Sequence, residues 1–102
     1  MRILPELIAF LWDQGSLDKN FKKHGVTVQE AEEVFVNEPI ISAEDSRHST
    51  PREERLYVLG KTKAGRKLFA AFTIRDKMIR IISIRDMSKE ERIQYEKLEK
   101  NS

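Results

Sequence analysis

The run Ile79–Met87, reading Ile-Arg-Ile-Ile-Ser-Ile-Arg-Asp-Met, is the most concentrated β-branched stretch in the chain. It reads as an interior strand. Two arginines and a serine are set into it. An unpaired charge is costly to bury, so either these side chains find partners inside the fold or one face of the sheet is open to a ligand.

The other elements arrange themselves around this strand. Arg55–Thr62, Arg66–Arg75 and Met78–Asp86 are expected as three strands, joined at Lys63-Ala64-Gly65 and Asp76-Lys77 by hairpin turns into an antiparallel meander. Upstream, Leu7–Trp12 alternates weakly as a first strand. Ser16 is expected to cap a helix that runs to His24 and stops at Gly25. Leu17, Phe21 and His24 fall on its apolar stripe, with Lys19, Lys22 and Lys23 on the opposite arc. Thr27-Val-Gln-Glu30 is a capping box opening a second helix, which Asn37-Glu-Pro39 ends. Ile40–Ser42 reads as a short strand and Ala43–Glu54 as a polar loop. Ser88-Lys-Glu-Glu91 is another capping box, for a helix over about residues 88–100. Its stripe, Tyr95 and Leu98 below Met87, is thin, so it is expected to dock loosely or to be finished by a partner.

The expected architecture is therefore α+β: two N-terminal helices packed on a small antiparallel sheet, with a C-terminal helix. The 102 residues make one domain, 1–102. A net charge of +2 excludes a bulk polycation, so a nucleic-acid site has to be a patch made by segregating arginine and lysine. The absence of cysteine removes disulfides, thiolate metal sites and thiol nucleophiles. The two histidines show no metal-ligand spacing, and no cofactor is expected. With no membrane-length apolar run and a poor signal-peptide start, the chain is expected to be cytoplasmic.

Folding the meander about a two-residue Asp76-Lys77 turn pairs Thr73 with Arg80, Ala70 with Ser83 and Leu68 with Arg85. One face then holds Leu56, Val58, Phe69, Ala71, Arg80, Ile82 and Ile84 and carries the helices. The other holds Arg55, Tyr57, Leu59, Arg66, Leu68, Ala70, Phe72, Ile81, Ser83 and Arg85 and forms a groove. Arg80 and Arg85 are five apart and point to opposite faces of a regular strand. Arg80 is thus expected to buttress the helices, by pairing with a carboxylate or with helix C-terminal carbonyls.

An ordered set of residues resembles the BrnT-type toxins. In the first half it is Trp12-Asp13, Lys19-Asn20, Lys23-His24-Gly25-Val26, Glu30-Ala31 and Val34-Phe35. In the second it is Asp45, His48-Ser49, Glu54-Arg55, Gly60, Gly65-Arg66, Thr73-Ile74-Arg75 and Arg80 to Arg85. The likeness runs from about Phe10 to Arg92 and departs at Ile84, where that family more often has alanine, and in the leading Met1–Leu7 segment. The resemblance implies a RelE-like fold and a metal-independent endoribonuclease that halts translation. It also implies neutralisation by a cognate antitoxin, a small DNA-binding protein, with RNA as substrate and the ribosome as a further candidate partner.

Cutting RNA without a metal needs a base for the 2′-hydroxyl, an acid for the departing 5′-oxygen, and cations for the charge that builds on phosphorus. Arg55, Arg66 and Arg85 suit the last role, with Ser83 as a hydrogen-bond donor. The competing reading pairs these arginines with Glu53, Glu54, Asp86 or Glu91. His24 is a candidate acid or base, or else a structural cap in the last turn of its helix. His48 lies in the loop. Lys19, Lys22 and Lys23 form a phosphate-contacting ridge or a solvated face, and Tyr57 stacks a base or fills the sheet. A non-catalytic RNA- or protein-binding module on the same scaffold is the alternative function. A DNA-binding regulator has no recognition-helix pattern in its favour.

Overall fold

The computed structural model describes residues 9–12, 14–44 and 54–101, without the side chains of Ser16, Leu17 and Asn20. In chain order the elements are β1 (Phe10–Leu11), α1 (Gln14–His24), α2 (Val28–Glu33), β2 (Ile41–Glu44), β3 (Leu56–Lys61), β4 (Lys67–Arg75), β5 (Met78–Asp86) and α3 (Lys89–Lys100). The strands form one five-stranded sheet in the order β1-β5-β4-β3-β2. The meander is antiparallel as expected, but β1 joins β5 in parallel.

Local chemistry accounts for most boundaries. Gly25, at φ +64, closes α1 with its N–H donating to the Phe21 carbonyl at 2.8 Å. Thr27 and Glu30 form the expected capping box at the start of α2, as do Ser88 and Glu91 at α3. Three boundaries differ from the sequence reading. α1 begins at Gln14, ahead of Ser16. α2 stops at Glu33 and continues only as a turn, well before Pro39. β2 extends through Ala43 and Glu44, which the sequence had placed in the loop, because both pair with β3. Leu7, Ile8 and residues 45–53, with His48 and Pro51, lie outside the described residues.

The largest departure is in register. Near the Asp76-Lys77 turn the pairing is as expected, with Thr73 opposite Arg80 and Phe72 opposite Ile81. The next pair is Ala71 with Ser83, so Ile82 is an extra residue in β5 and the ladder carries a β-bulge there. Beyond it Ala70 pairs with Ile84 and Phe69 with Arg85, each one residue out from the regular register. The β3–β4 turn holds three residues, Lys63 to Gly65, because the Thr62 N–H donates to the Arg66 carbonyl at 2.9 Å and Gly65 takes φ +94.

These shifts turn over the face assignment of β4. Leu68, Ala70 and Phe72 are fully buried with Ile79, Ile81, Ile84 and Val58 against Val26, Ala31 and Val34, so they face the helices. Phe69 instead packs with Leu59, Met87 and Tyr95 on the second face. Arg80, paired with Thr73, is on that second face too and does not point toward the helices. Gly60 lets the end of α2 lie on β3, since a Cβ there would sit 2.5 Å from the Val34 carbonyl oxygen.

Two expectations about apolar stripes are also corrected. Phe21 is 58% exposed and does not dock on the sheet. α3 is thin in apolar residues, yet Tyr95 is fully buried and its hydroxyl donates to the Pro39 carbonyl at 2.6 Å. Lys61–Glu99 and Lys67–Glu96 pairs, both at 2.8 Å, flank it.

Gly60→Ala is expected to cost about 1–3 kcal/mol in urea unfolding, because backbone has to move to admit the methyl. Lys77 sits at φ +64, so Lys77→Gly is expected to gain about 0.5–1 kcal/mol by the same measurement.

Candidate nucleic-acid interface

An arginine side chain has five N–H donors, and how far the fold consumes them separates the candidate arginines. Arg66 is saturated. Its Nε and Nη2 hold Asp86 at 2.9 and 3.1 Å, Nη2 also donates to the His24 carbonyl at 2.8 Å, and Nη1 donates to the Gly25 carbonyl at 3.0 Å and to Glu30 at 3.3 Å. It ties the end of α1, the start of α2 and the end of β5 together on the helix side. The buttressing role expected of Arg80 is therefore filled by Arg66, and the bulge explains the exchange.

Electrostatics follow this geometry. The Arg66 hydrogen bond and charge hold Asp86 below the usual carboxylate range against a cost from burial, with a smaller contribution from His24. Glu30 is lowered first by the Thr27 N–H, then by Arg66, again against burial. Arg66 itself is raised, chiefly by its bond to Asp86. His24 is half-buried in this cluster. The cluster is on the opposite side of the sheet from Ser83 and Arg85, so His24 and Arg66 do not join them.

Arg85 is partly used. Its Nη1 and Nη2 form a fork on Glu91 at 2.8 and 3.1 Å, and Nη1 also donates to the Asp86 carbonyl at 3.1 Å. Its guanidinium carbon lies 4.1 Å above the Phe69 ring centre, and Tyr57 stacks on Phe69 at 5.8 Å. The Nε–H and one Nη2–H have no described acceptor. Glu91 ends below the usual carboxylate range: burial, the largest influence, pushes it up, but Arg85 and the Ser88 N–H outweigh it.

Arg80 is half-buried, and no described residue accepts from its guanidinium. Ser83 and the Tyr57 hydroxyl are likewise without described hydrogen bonds and are half-buried. Small side chains flank Tyr57, with Ala43 opposite it on β2 and Ala71 on β4, and Ser83 is opposite Ala71. A shallow row of small residues therefore crosses the second face, with Arg80 and Thr73 on one bank and Arg85 and Phe69 on the other. Arg55, half-buried, adjoins the Arg80 end by alternation with Leu56. There Thr73 Oγ1 donates to the Glu54 carbonyl at 2.9 Å. The Glu44 carboxyl is raised by a hydrogen bond shared with Glu54, then by that neighbour's charge.

Lys19, Lys22 and Lys23 are exposed on α1, which packs over β5 from the helix side. Beside them Trp12, Phe21, Val28 and Ile84 line a groove of about 260 Å³ between α1 and α2. Tyr95 is turned into the core, and burial followed by Glu99 pushes its hydroxyl up to about 12. Sequence reasoning missed Arg80 as a member of the open face, for which a regular strand gives no signal. The competing reading named the right carboxylates for two of the arginines, Asp86 for Arg66 and Glu91 for Arg85.

Arg66→Ala is expected to lower stability at neutral pH by roughly 1–3 kcal/mol, the range for hydrogen bonds to charged groups. Because Asp86 and Glu30 are depressed, their contribution is complete above the ordinary values of 3.8 and 4.5 and is lost as pH falls through their lower folded values. Urea midpoints measured from pH 7 to 3 should fall steeply below about pH 5 in the parent, and less steeply in Arg66→Ala.

Among the described residues no helix is long and apolar enough to cross a membrane. No curated protein matches the chain. A family model described as the ribonuclease toxin, BrnT, of a type II toxin–antitoxin system matches residues 12–91, which span both the Arg66 cluster and the open face. That match covers most of the 102 residues, and the chain belongs to the BrnT family of ribonuclease toxins.

Proposed function

We propose that this chain is a RelE-like, metal-independent endoribonuclease that inhibits translation in the cytoplasm, and that its working surface is the second face of the sheet. One observation carries the reading: in a member of a ribonuclease-toxin family, the bulge at Ile82 gathers Arg80, Ser83 and Arg85 onto one face. Arg80 and Arg85 bind the scissile phosphate and stabilise the charge that develops as the 2′-oxygen attacks phosphorus and the 5′-oxygen leaves. Ser83 donates to a phosphate oxygen. Tyr57, extended by Phe69, offers a stacking surface to a base. Arg55 supports the Arg80 end. Arg66 and His24 are assigned to holding the helices, and Lys19, Lys22 and Lys23 to longer-range attraction of the RNA backbone.

The family's toxin–antitoxin context supports a small antitoxin as partner. On this reading it neutralises the protein by covering the second face and, being DNA-binding, also serves at the operator. The ribosome is a further candidate partner. The Tyr95 side of α3 is not the antitoxin's apolar seat, because Tyr95 is used internally.

One feature favours the alternative of a binding module that does not cut. The described second face has arginines and hydroxyls but no histidine, His24 being on the other side. Cleavage assays on a 5′-labelled RNA with EDTA present separate the two. The enzyme reading expects cuts, and a loss of at least a hundredfold in rate for Arg80→Ala and Arg85→Ala with the fold retained. Binding without cutting by a correctly folded parent would favour the module.

A further inference from the structure

We infer that Glu91 is a positioning residue for the RNA site: it clamps one edge of the Arg85 guanidinium so that the other edge is presented to phosphate. The inference rests on the second-face reading above and deepens it. Glu91 takes the Nη1/Nη2 edge at 2.8 and 3.1 Å, while the Asp86 carbonyl takes the remaining Nη1 hydrogen at 3.1 Å. Among the described residues, the Nε–H and the outer Nη2–H are left without an acceptor. Those two point the same way and make the second fork that a guanidinium can offer to an oxyanion.

The plane of that fork is set independently. The Phe69 ring lies under the guanidinium, 4.1 Å from its carbon. The clamp is itself braced, because Glu91 Oε1 also accepts the Ser88 N–H at 2.8 Å, and the Ser88 hydroxyl accepts the Glu91 N–H at 3.2 Å. Behind it, α3 is fastened by the buried Tyr95 and by Lys61–Glu99 and Lys67–Glu96. A long side chain that would otherwise sample many rotamers is thus held in one, and the ordering cost is met by the fold before substrate arrives. The capping box serves two purposes with one carboxylate, starting α3 and aiming the arginine.

Glutamine is as good as glutamate in a capping box, so Glu91→Gln keeps the start of α3 and removes the charged fork on Arg85. Cleavage of a short single-stranded RNA is compared with binding of the same oligonucleotide blocked by 2′-O-methylation, which cannot be cut. Glu91→Gln is expected to melt within a few degrees of the parent, to lower kcat about ten- to a hundredfold, and to weaken binding of the blocked RNA several-fold. Glu91→Ala should match it in kcat but melt lower. Glu90→Gln, the same change at the exposed neighbouring carboxylate, which makes no described contact with Arg85, should leave kcat near the parent's.

Equal kcat and equal binding for parent and Glu91→Gln would overturn the inference while leaving the proposed function intact. So would a loss in Glu91→Ala alone, since that traces to the cap. A parent that binds but does not cut would overturn the enzyme reading, and weaker binding by Glu91→Gln would still support the clamp. A parent that neither cuts nor binds would overturn both.

Discussion

One extra residue in β5 decides which side chains meet. Without the bulge at Ile82, the two arginines of the strand, five positions apart, would face opposite ways. With it, Arg80, Ser83 and Arg85 share a face while Ile79, Ile81 and Ile84 remain in the helix-side core. The bulge thus lets one strand complete a continuous apolar layer and still direct both cations to the other side. Bulges are over-represented beside functional sites, where they re-aim side chains.

The donor inventory of the arginines then sorts structure from function. Arg66 has every N–H satisfied by two carboxylates and two backbone carbonyls. Presenting it to RNA would require breaking the junction of α1, α2 and β5. Arg85 is bound on one edge and, among the described residues, open on the other, which orders it without consuming it. Arg80 has no described partner. Three arginines that look equivalent in a sequence therefore hold three different reserves of hydrogen-bonding capacity. A basic patch counted by charge alone would have missed the distinction.

Much of the fold was legible in the residues. The two capping boxes, Gly25 as a helix stop, and the two-residue Asp76-Lys77 turn are local chemistry, and each falls where the sequence placed it. The faces of β4 were not legible. They depend on where a bulge sits and on whether the Thr62–Arg66 turn holds three or four residues, and both are decided by which arrangement buries Leu68, Ala70 and Phe72 under the helices. The same long-range packing hid the docking of α3. Tyr95 looked like half of a weak stripe, whereas the carbonyl that receives its hydroxyl belongs to Pro39, far away in sequence. For the candidate site, Tyr57, Ser83 and Arg85 were placed together from the sequence. Arg66 was put with them and Arg80 apart from them, the same error made twice.

The central claim is that Arg80 and Arg85 have N–H groups to give to RNA and that Arg66 has none. Arginine Nε–H resonances report this directly in ¹H–¹⁵N spectra of the intact protein titrated with 2′-O-methylated single-stranded RNA. The account predicts that the Arg80 and Arg85 Nε–H signals shift with saturation while that of Arg66 stays in place. A shifting Arg66 signal with Arg80 and Arg85 unmoved would contradict it.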